Sequence, residues 1–220
     1  MKIITVTSLE QAGMEVIKII PKEKEINIAI TGGNFGNHFL GSLISSKVDL
    51  KNWEIFITDE RITKEREEQN SFNLHRNLSK IAGFTLEKFN PFNQSENDAM
   101  CYLDLNRKLM HRKANFLDFC LLSLGEDGHL AGHFFNSKDA IDEKFCYTVD
   151  APIGPSRRIS FTMTWLMQSG LIVLAVMGNS KRTALYELIT GKGTHADLWG
   201  RQNLILITDL DIDGLKNSSR

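Results

Sequence analysis

The chain has little that would cross-link it, divide it or anchor it. Its 220 residues include only four prolines and three cysteines. Cys101, Cys120 and Cys146 are widely spaced, odd in number and form no Cys-x-x-Cys pair. They exclude a disulfide framework and a cysteine-based zinc site, and read as reduced thiols of a cytoplasmic protein. Long hydrophobic runs are lacking: the densest, Leu171–Met177, is far too short to cross a bilayer. Met1-Lys2-Ile3-Ile4 gives way at once to polar residues, which predicts no signal peptide. Neither sign of charge dominates, since 26 Lys and Arg stand against 27 Asp and Glu, for a net charge of −1. With no bulk field to attract them, nucleic acid and anionic membrane are not expected partners. The chain shows no internal repeat, low-complexity tract or linker.

What is present is a chain that is 42% hydrophobic, enough for one substantial core and a single domain over residues 1–220. Ser8 and Gln11 have capping-box spacing ahead of Leu9, Ala12, Val16, Ile19 and Ile20, which share a helical face closed by Pro21. Short apolar runs at Ile26–Ile30, Trp53–Ile57, Leu117–Leu124, Leu171–Met177 and Asn203–Thr208 predict strands. Between them, helices are expected over Gly36–Ser46, Asn70–Lys80 and Lys181–Thr190, the last closed by Gly191. Ala99, Tyr102, Leu105 and Leu109 keep helical spacing in a further segment. Near-continuous apolar strands alternating with helices imply an α/β fold of Rossmann-like type, three layers with a mostly parallel central sheet flanked by helices. Right-handed crossovers then gather the carboxyl ends of the strands at one edge, where open α/β sheets bind ligands.

Four polar segments follow strands and should converge there: Thr31-Gly32-Gly33-Asn34, Asp59-Glu60-Arg61, Gly125-Glu126-Asp127-Gly128-His129 and Gly178-Asn179-Ser180-Lys181. A glycine turn opening a helix offers unpaired N–H groups and the positive end of the helix dipole, both suited to phosphate. Lys181 adds a point charge. Neither glycine turn has Walker or dinucleotide spacing, and each alone is also what an ordinary tight turn looks like. Asp59-Glu60-Arg61 reads as a charged loop in which Arg61 can clamp an anion and Asp59 can hold Arg61 or His129. Asp127-Gly128-His129 sets a carboxylate beside an imidazole, an arrangement that can orient a general base. His129 and His133 are four apart, as zinc ligands on a helix are, but Leu130 stands where the Glu of His-Glu-x-x-His belongs. A metal-free site follows, with His133 as a packing or surface residue. Pro155-Ser156-Arg157-Arg158 precedes the alternating segment Ile159–Thr164, and one of the two arginines can supply a further anion contact.

Together these motifs resemble the 6-phosphogluconolactonase family, within the wider sugar-phosphate group that includes glucosamine-6-phosphate deaminase. Ser123-Leu124-Gly125-Glu126-Asp127-Gly128-His129 is similar to the family's Gly-x-Gly-x-Asp-Gly-His, and Asp59-Glu60-Arg61 matches its Asp-Glu-Arg. Asn70-Ser71-Phe72 is a loose match to its Ser-Asn-aromatic element. Pro155–Ser160 and Gly178–Lys181 resemble its Pro-x-x-Arg-[Ile/Val]-[Ser/Thr] and Gly-x-x-Lys segments. The first glycine loop departs from the family's Ser-Gly-Gly-[Ser/Thr] in carrying Thr31, Asn34 and Phe35.

The resemblance implies hydrolysis of 6-phospho-D-glucono-1,5-lactone without cofactor or metal. It further implies a small sugar-phosphate substrate, a cytoplasmic enzyme, and a monomer or homodimer. Carried over, His129 is the general base, with Asp127 and Arg61 as its catalytic companions. Gly32, Gly33, Asn34, Asp59, Arg158 and Lys181 bind substrate or phosphate. The deaminases carry an acid five residues beyond the His, where this chain has Phe134, and typically Asp-Glu-Tyr where it has Asp59-Glu60-Arg61. Both differences favour the lactonase over a deaminase. The changed glycine loop leaves a non-catalytic sugar-phosphate-binding homologue as a further alternative.

Overall fold

The computed structural model describes residues 1–22, 25–92, 104, 108–109, 116–134, 139–140, 144–148 and 150–217. Most of the predicted segment at 99–109 therefore lies outside the described residues, as does Cys101. Leu109 is described and is buried.

Seven strands make one fully parallel sheet. Their spatial order is β1 (Lys2–Thr5), β11 (Leu204–Thr208), β10 (Leu171–Val176), β6 (Phe119–Ser123), β2 (Ile26–Ile30), β3 (Trp53–Ile57) and β5 (Phe89–Asn90). The five inner strands are nearly all apolar because helices cover the sheet. One helical group is α1 (Leu9–Ile19), α2 (Gly33–Ser45) and α3 (Asn70–Leu78), packed in that order. After the short α4 (Met163–Leu166), α5 (Arg182–Ile189) packs against α6 (Ile212–Asn217). The α1 cap departs from a strict capping box. Ser8 Oγ accepts from Gln11 N–H at 3.1 Å, but Gln11 Oε1 reaches past Ser8 to accept from Thr7 N–H at 2.8 Å.

Several boundaries differ from the sequence reading. Helix α2 starts at Gly33, three residues early, so the first glycine loop is short and runs straight into a helix. A short 3₁₀ turn, Asn179–Lys181, precedes α5, which puts Lys181 at its N-cap. Edge strand β1 is not evident in the sequence because it is short and largely exposed.

The larger correction is a second, antiparallel sheet in the order β4 (Asp59–Arg61), β9 (Arg158–Phe161), β8 (Phe145–Thr148), β7 (Asp139–Ala140). Asp59-Glu60-Arg61 is thus a strand and not a loop, and Arg158 opens a strand instead of preceding one. A run of three charges has no β signature, yet Asp59 and Glu60 are buried. The small sheet is fastened by aromatic packing. Phe161 stacks on Trp165 with ring centroids 4.4 Å apart and meets Phe145 at 5.4 Å. Its edge contact with Phe56 of β3, at 6.4 Å, joins the two sheets.

Candidate active site

The site is built at the carboxyl ends of β2, β6 and β10, facing the second sheet. After β6 the chain turns tightly: Gly125 N–H donates to the His129 carbonyl at 2.8 Å, and Gly128 N–H to the Gly125 carbonyl at 3.2 Å. A side chain at position 125 would not fit. Its Cβ would lie 2.1 Å from His129 Nδ1 and 2.6 Å from Asp127 Oδ1. Glycine there is what lets the carboxylate and the imidazole meet.

They meet at 2.5 Å, between Asp127 Oδ1 and His129 Nδ1. The carboxylate accepts, so Nδ1 carries the hydrogen and Nε2 is the ring nitrogen left for chemistry. Burial pushes the Asp127 carboxyl up, but the hydrogen bond from His129 and its charge outweigh that and hold the carboxyl below its ordinary value.

His129 looks into a cavity of about 330 Å³. From β2 and α2, Gly32, Gly33 and Asn34 line it; from the second sheet, Asp59, Arg61 and Arg158; from the far side, Lys181 and Ser180. All four polar segments picked out from the sequence therefore converge. Asp127 does not line this space. It sits behind His129, on a much smaller cavity of about 40 Å³ shared with His195.

Arg158 is the most unusual of these groups. It is 5% exposed, and its Nη2 donates to the Ile153 carbonyl at 2.7 Å. Its Nε and Nη1 have no partner among the described residues. Arg61 stands directly across the β4–β9 ladder from it. Burial, and then the Arg61 charge, press the Arg158 guanidinium below its ordinary value. Buried donors without acceptors beside a second cation make a site for an anion.

The second glycine loop contributes less backbone than its sequence suggests. Gly178 N–H is already taken by the Asp209 carboxylate at 2.9 and 3.1 Å. Gly32 has a packing reason to be glycine, since a Cβ there would lie 2.2 Å from Asn70 Oδ1. Gly33 has a conformational one, at φ +68°.

Asp59 does not hold Arg61 or His129. Its carboxylate accepts from Thr58 Oγ1 at 2.9 Å and Asn70 Nδ2 at 3.2 Å. Glu60, which the sequence left without a role, is fully buried and accepts from the N–H groups of Arg61, Asn70 and Ser71 at 2.7, 2.7 and 2.9 Å. It ties β4 to the start of α3. Burial drives its carboxyl upward against the pull of those donors. His133 Nε2 donates to the Phe161 carbonyl at 2.8 Å, so that ring nitrogen is spent. Among the described residues no group of three or more His, Cys, Asp or Glu is arranged to hold a metal ion. Asn70 and Phe134 also line the cavity. Asn70 lay in the loosely matched Ser-Asn-aromatic element, and Phe134 stood out in the sequence as a missing acid.

A curated 6-phosphogluconolactonase of Borreliella burgdorferi is 30% identical over 207 residues, covering 88% of each chain. A second, 6-phosphogluconolactonase 4 of Saccharomyces cerevisiae, is 25% identical over 192 residues, covering 76% of this chain and 73% of the other. The crystal structure of the Thermotoga maritima 6-phosphogluconolactonase superposes with a TM-score of 0.80 at 17% identity, covering 94% of this chain and 98% of the other. A monomeric glucosamine-6-phosphate deaminase shares the fold at a TM-score of 0.78 and 14% identity, covering 98% of this chain and all of the other. The model of the family "Glucosamine-6-phosphate isomerases/6-phosphogluconolactonase" matches residues 6–198, and the chain belongs to that family.

Proposed function

We propose that the protein is a 6-phosphogluconolactonase, hydrolysing 6-phospho-D-glucono-1,5-lactone to 6-phospho-D-gluconate in the oxidative pentose phosphate pathway. The observation that carries this reading is one cavity holding both the oriented imidazole of His129 and the cations Arg61, Arg158 and Lys181. His129 Nε2 takes a proton from water as the water oxygen bonds to the lactone carbonyl carbon. Asp127 steadies the imidazolium that results. The tetrahedral oxyanion is stabilised by a neighbouring cation, for which Arg61 is our choice. Collapse breaks the bond to the ring oxygen, which receives the proton from His129. Arg158 and Lys181, with Gly32, Gly33 and Asn34, hold the phosphate and so place the reacting carbon. Asp59 belongs to the same substrate wall. Phe134, an apolar ring beside His129, offers no proton for sugar ring opening, which favours lactonase over deaminase.

Among the described residues no helix is long and apolar enough to cross a membrane. On our reading the enzyme works in the cytoplasm as one domain over residues 1–220, a monomer or homodimer without metal or cofactor. The test is a coupled lactonase assay on purified protein, corrected for spontaneous hydrolysis. His129→Ala is expected to lower turnover about 10²–10⁴-fold. A folded variant at near wild-type rate overturns the assignment.

A further inference from the structure

The loop carrying His129 runs on into a tight hairpin. Leu130 N–H donates to the His133 carbonyl at 3.3 Å, and His133 N–H returns to the Leu130 carbonyl at 2.9 Å. At its tip Ala131 holds φ +50°, a left-handed conformation that a residue with a Cβ keeps only when its surroundings impose it. The surroundings are on β9. Gly132 N–H donates to Ser160 Oγ at 3.1 Å, and His133 is bonded to the Phe161 carbonyl at 2.8 Å. Fastened there, the hairpin turns the chain back on itself and returns Phe134 to His129. The two rings stack, with centroids 4.5 Å apart and planes 29° from parallel. Phe134 is 7% exposed, and both rings wall the same cavity.

A single hydrogen bond does not fix an imidazole. The Asp127 contact secures Nδ1 but leaves the ring able to rock about that bond. An aromatic plane against one face removes the rocking. We propose that Phe134 is a positioning residue: its ring holds the His129 imidazole with Nε2 toward the cavity and supports that imidazole once it has taken a proton. This rests on the reading of His129 as the base. The support has a physical source, because a cation lying on an aromatic face is attracted by the ring quadrupole. It acts when His129 is protonated, at the tetrahedral stage, and not when substrate first binds. The consequence therefore falls on kcat and not on KM.

Phe134→Leu keeps apolar bulk and loses the ring face; Phe134→Tyr keeps the face. The Leu variant is expected to lose roughly 3- to 30-fold in kcat, the span of a lost ring–cation contact. Its KM should stay within about twofold. The acid limb of its kcat/KM profile should move to lower pH, because the imidazolium has lost support, and Tyr should restore both rate and limb. The His129 ring protons, shifted by the Phe134 ring current in the wild type, should move to ordinary positions in the Leu variant by NMR. Wild-type kcat with an unmoved limb in Phe134→Leu overturns the proposal. Phe134→Met, flexible enough to fill the same space, carries the same expected losses if the Leu variant does not fold. An active His129→Ala enzyme sinks the reading underneath. An inactive one beside an indifferent Phe134→Leu sinks this proposal alone.

Discussion

Arg61 and Arg158 stand directly opposite each other on the antiparallel neighbours β4 and β9. Like charges so placed cost stability, and here one of the pair is buried with two donors that have no partner among the described residues. On the proposed reading, the arrangement is tolerated for the anion it binds. Arg158→Met should therefore separate function from stability. Its kcat/KM is expected to fall about 10- to 100-fold, the worth of a charge-assisted contact. Its melting temperature without anion should equal or exceed that of the wild type. Inorganic phosphate should raise the wild-type Tm and leave the variant's nearly unmoved. A variant that melts lower yet hydrolyses normally contradicts this.

The Asp127–His129 contact bears on turnover and on stability. Asp127→Asn should reduce turnover by about 10²–10⁴-fold, because an amide can hold the wrong tautomer and cannot balance an imidazolium. Stability follows the carboxyl itself. Its folded value lies below the unfolded one, so its contribution is complete above about pH 4 and is lost as pH falls through the folded value. The Asn variant should show less of that acid loss in urea unfolding followed by circular dichroism. Equal acid slopes would mean that the pair does not stabilise the fold.

Two imidazoles outside the cavity titrate in the opposite sense from a paired surface histidine. Burial pushes His133 and His195 below the ordinary histidine value, more than their bonds to the carbonyls of Phe161 and His133 pull them back. Their rings lie 6.0 Å apart. Asp59 faces His133, while Asp197 and His129 face His195. A depressed histidine favours the fold while neutral, so its stability is complete above about pH 6.5 and falls as pH drops further. Urea midpoints should decline between about pH 7.5 and about pH 5.5, and decline less in His195→Gln. A pH-independent wild type in that window would refute the assignment.

Glu60 should matter for folding more than for chemistry. Glu60→Ala leaves the buried N–H of Asn70 and the half-buried N–H groups of Arg61 and Ser71 without this acceptor, and is expected to cost about 3 kcal/mol in chemical denaturation. Thermal scans should show the same ordering against a Glu60→Gln variant, which keeps one acceptor oxygen. An alanine variant as stable as the wild type would leave the β4–α3 junction without its proposed tie.

The inner strands and the helices between them were legible because their apolar runs reflect burial on both faces. The loops at their carboxyl ends followed from topology alone. The second sheet was not legible, since β4 is three charged residues whose pairing with β9 is specified by partners a hundred residues away. The same holds for the site. Asp127 and His129 are neighbours in sequence and showed themselves. The Arg61–Arg158 pair exists only through register, and the orphaned donors of Arg158 only through burial. Phe134 was visible as the absence of an acid, but its stacking depends on a hairpin docked to Ser160 and Phe161.

The cavity takes its walls from Gly32, Arg61, His129, Arg158 and Lys181, which lie far apart along the chain. Fragments that have formed their helices and local turns have no site at all. Recovered turnover after dilution from denaturant is thus a clock for the slowest long-range strand pairing, and it should lag behind far-ultraviolet circular dichroism.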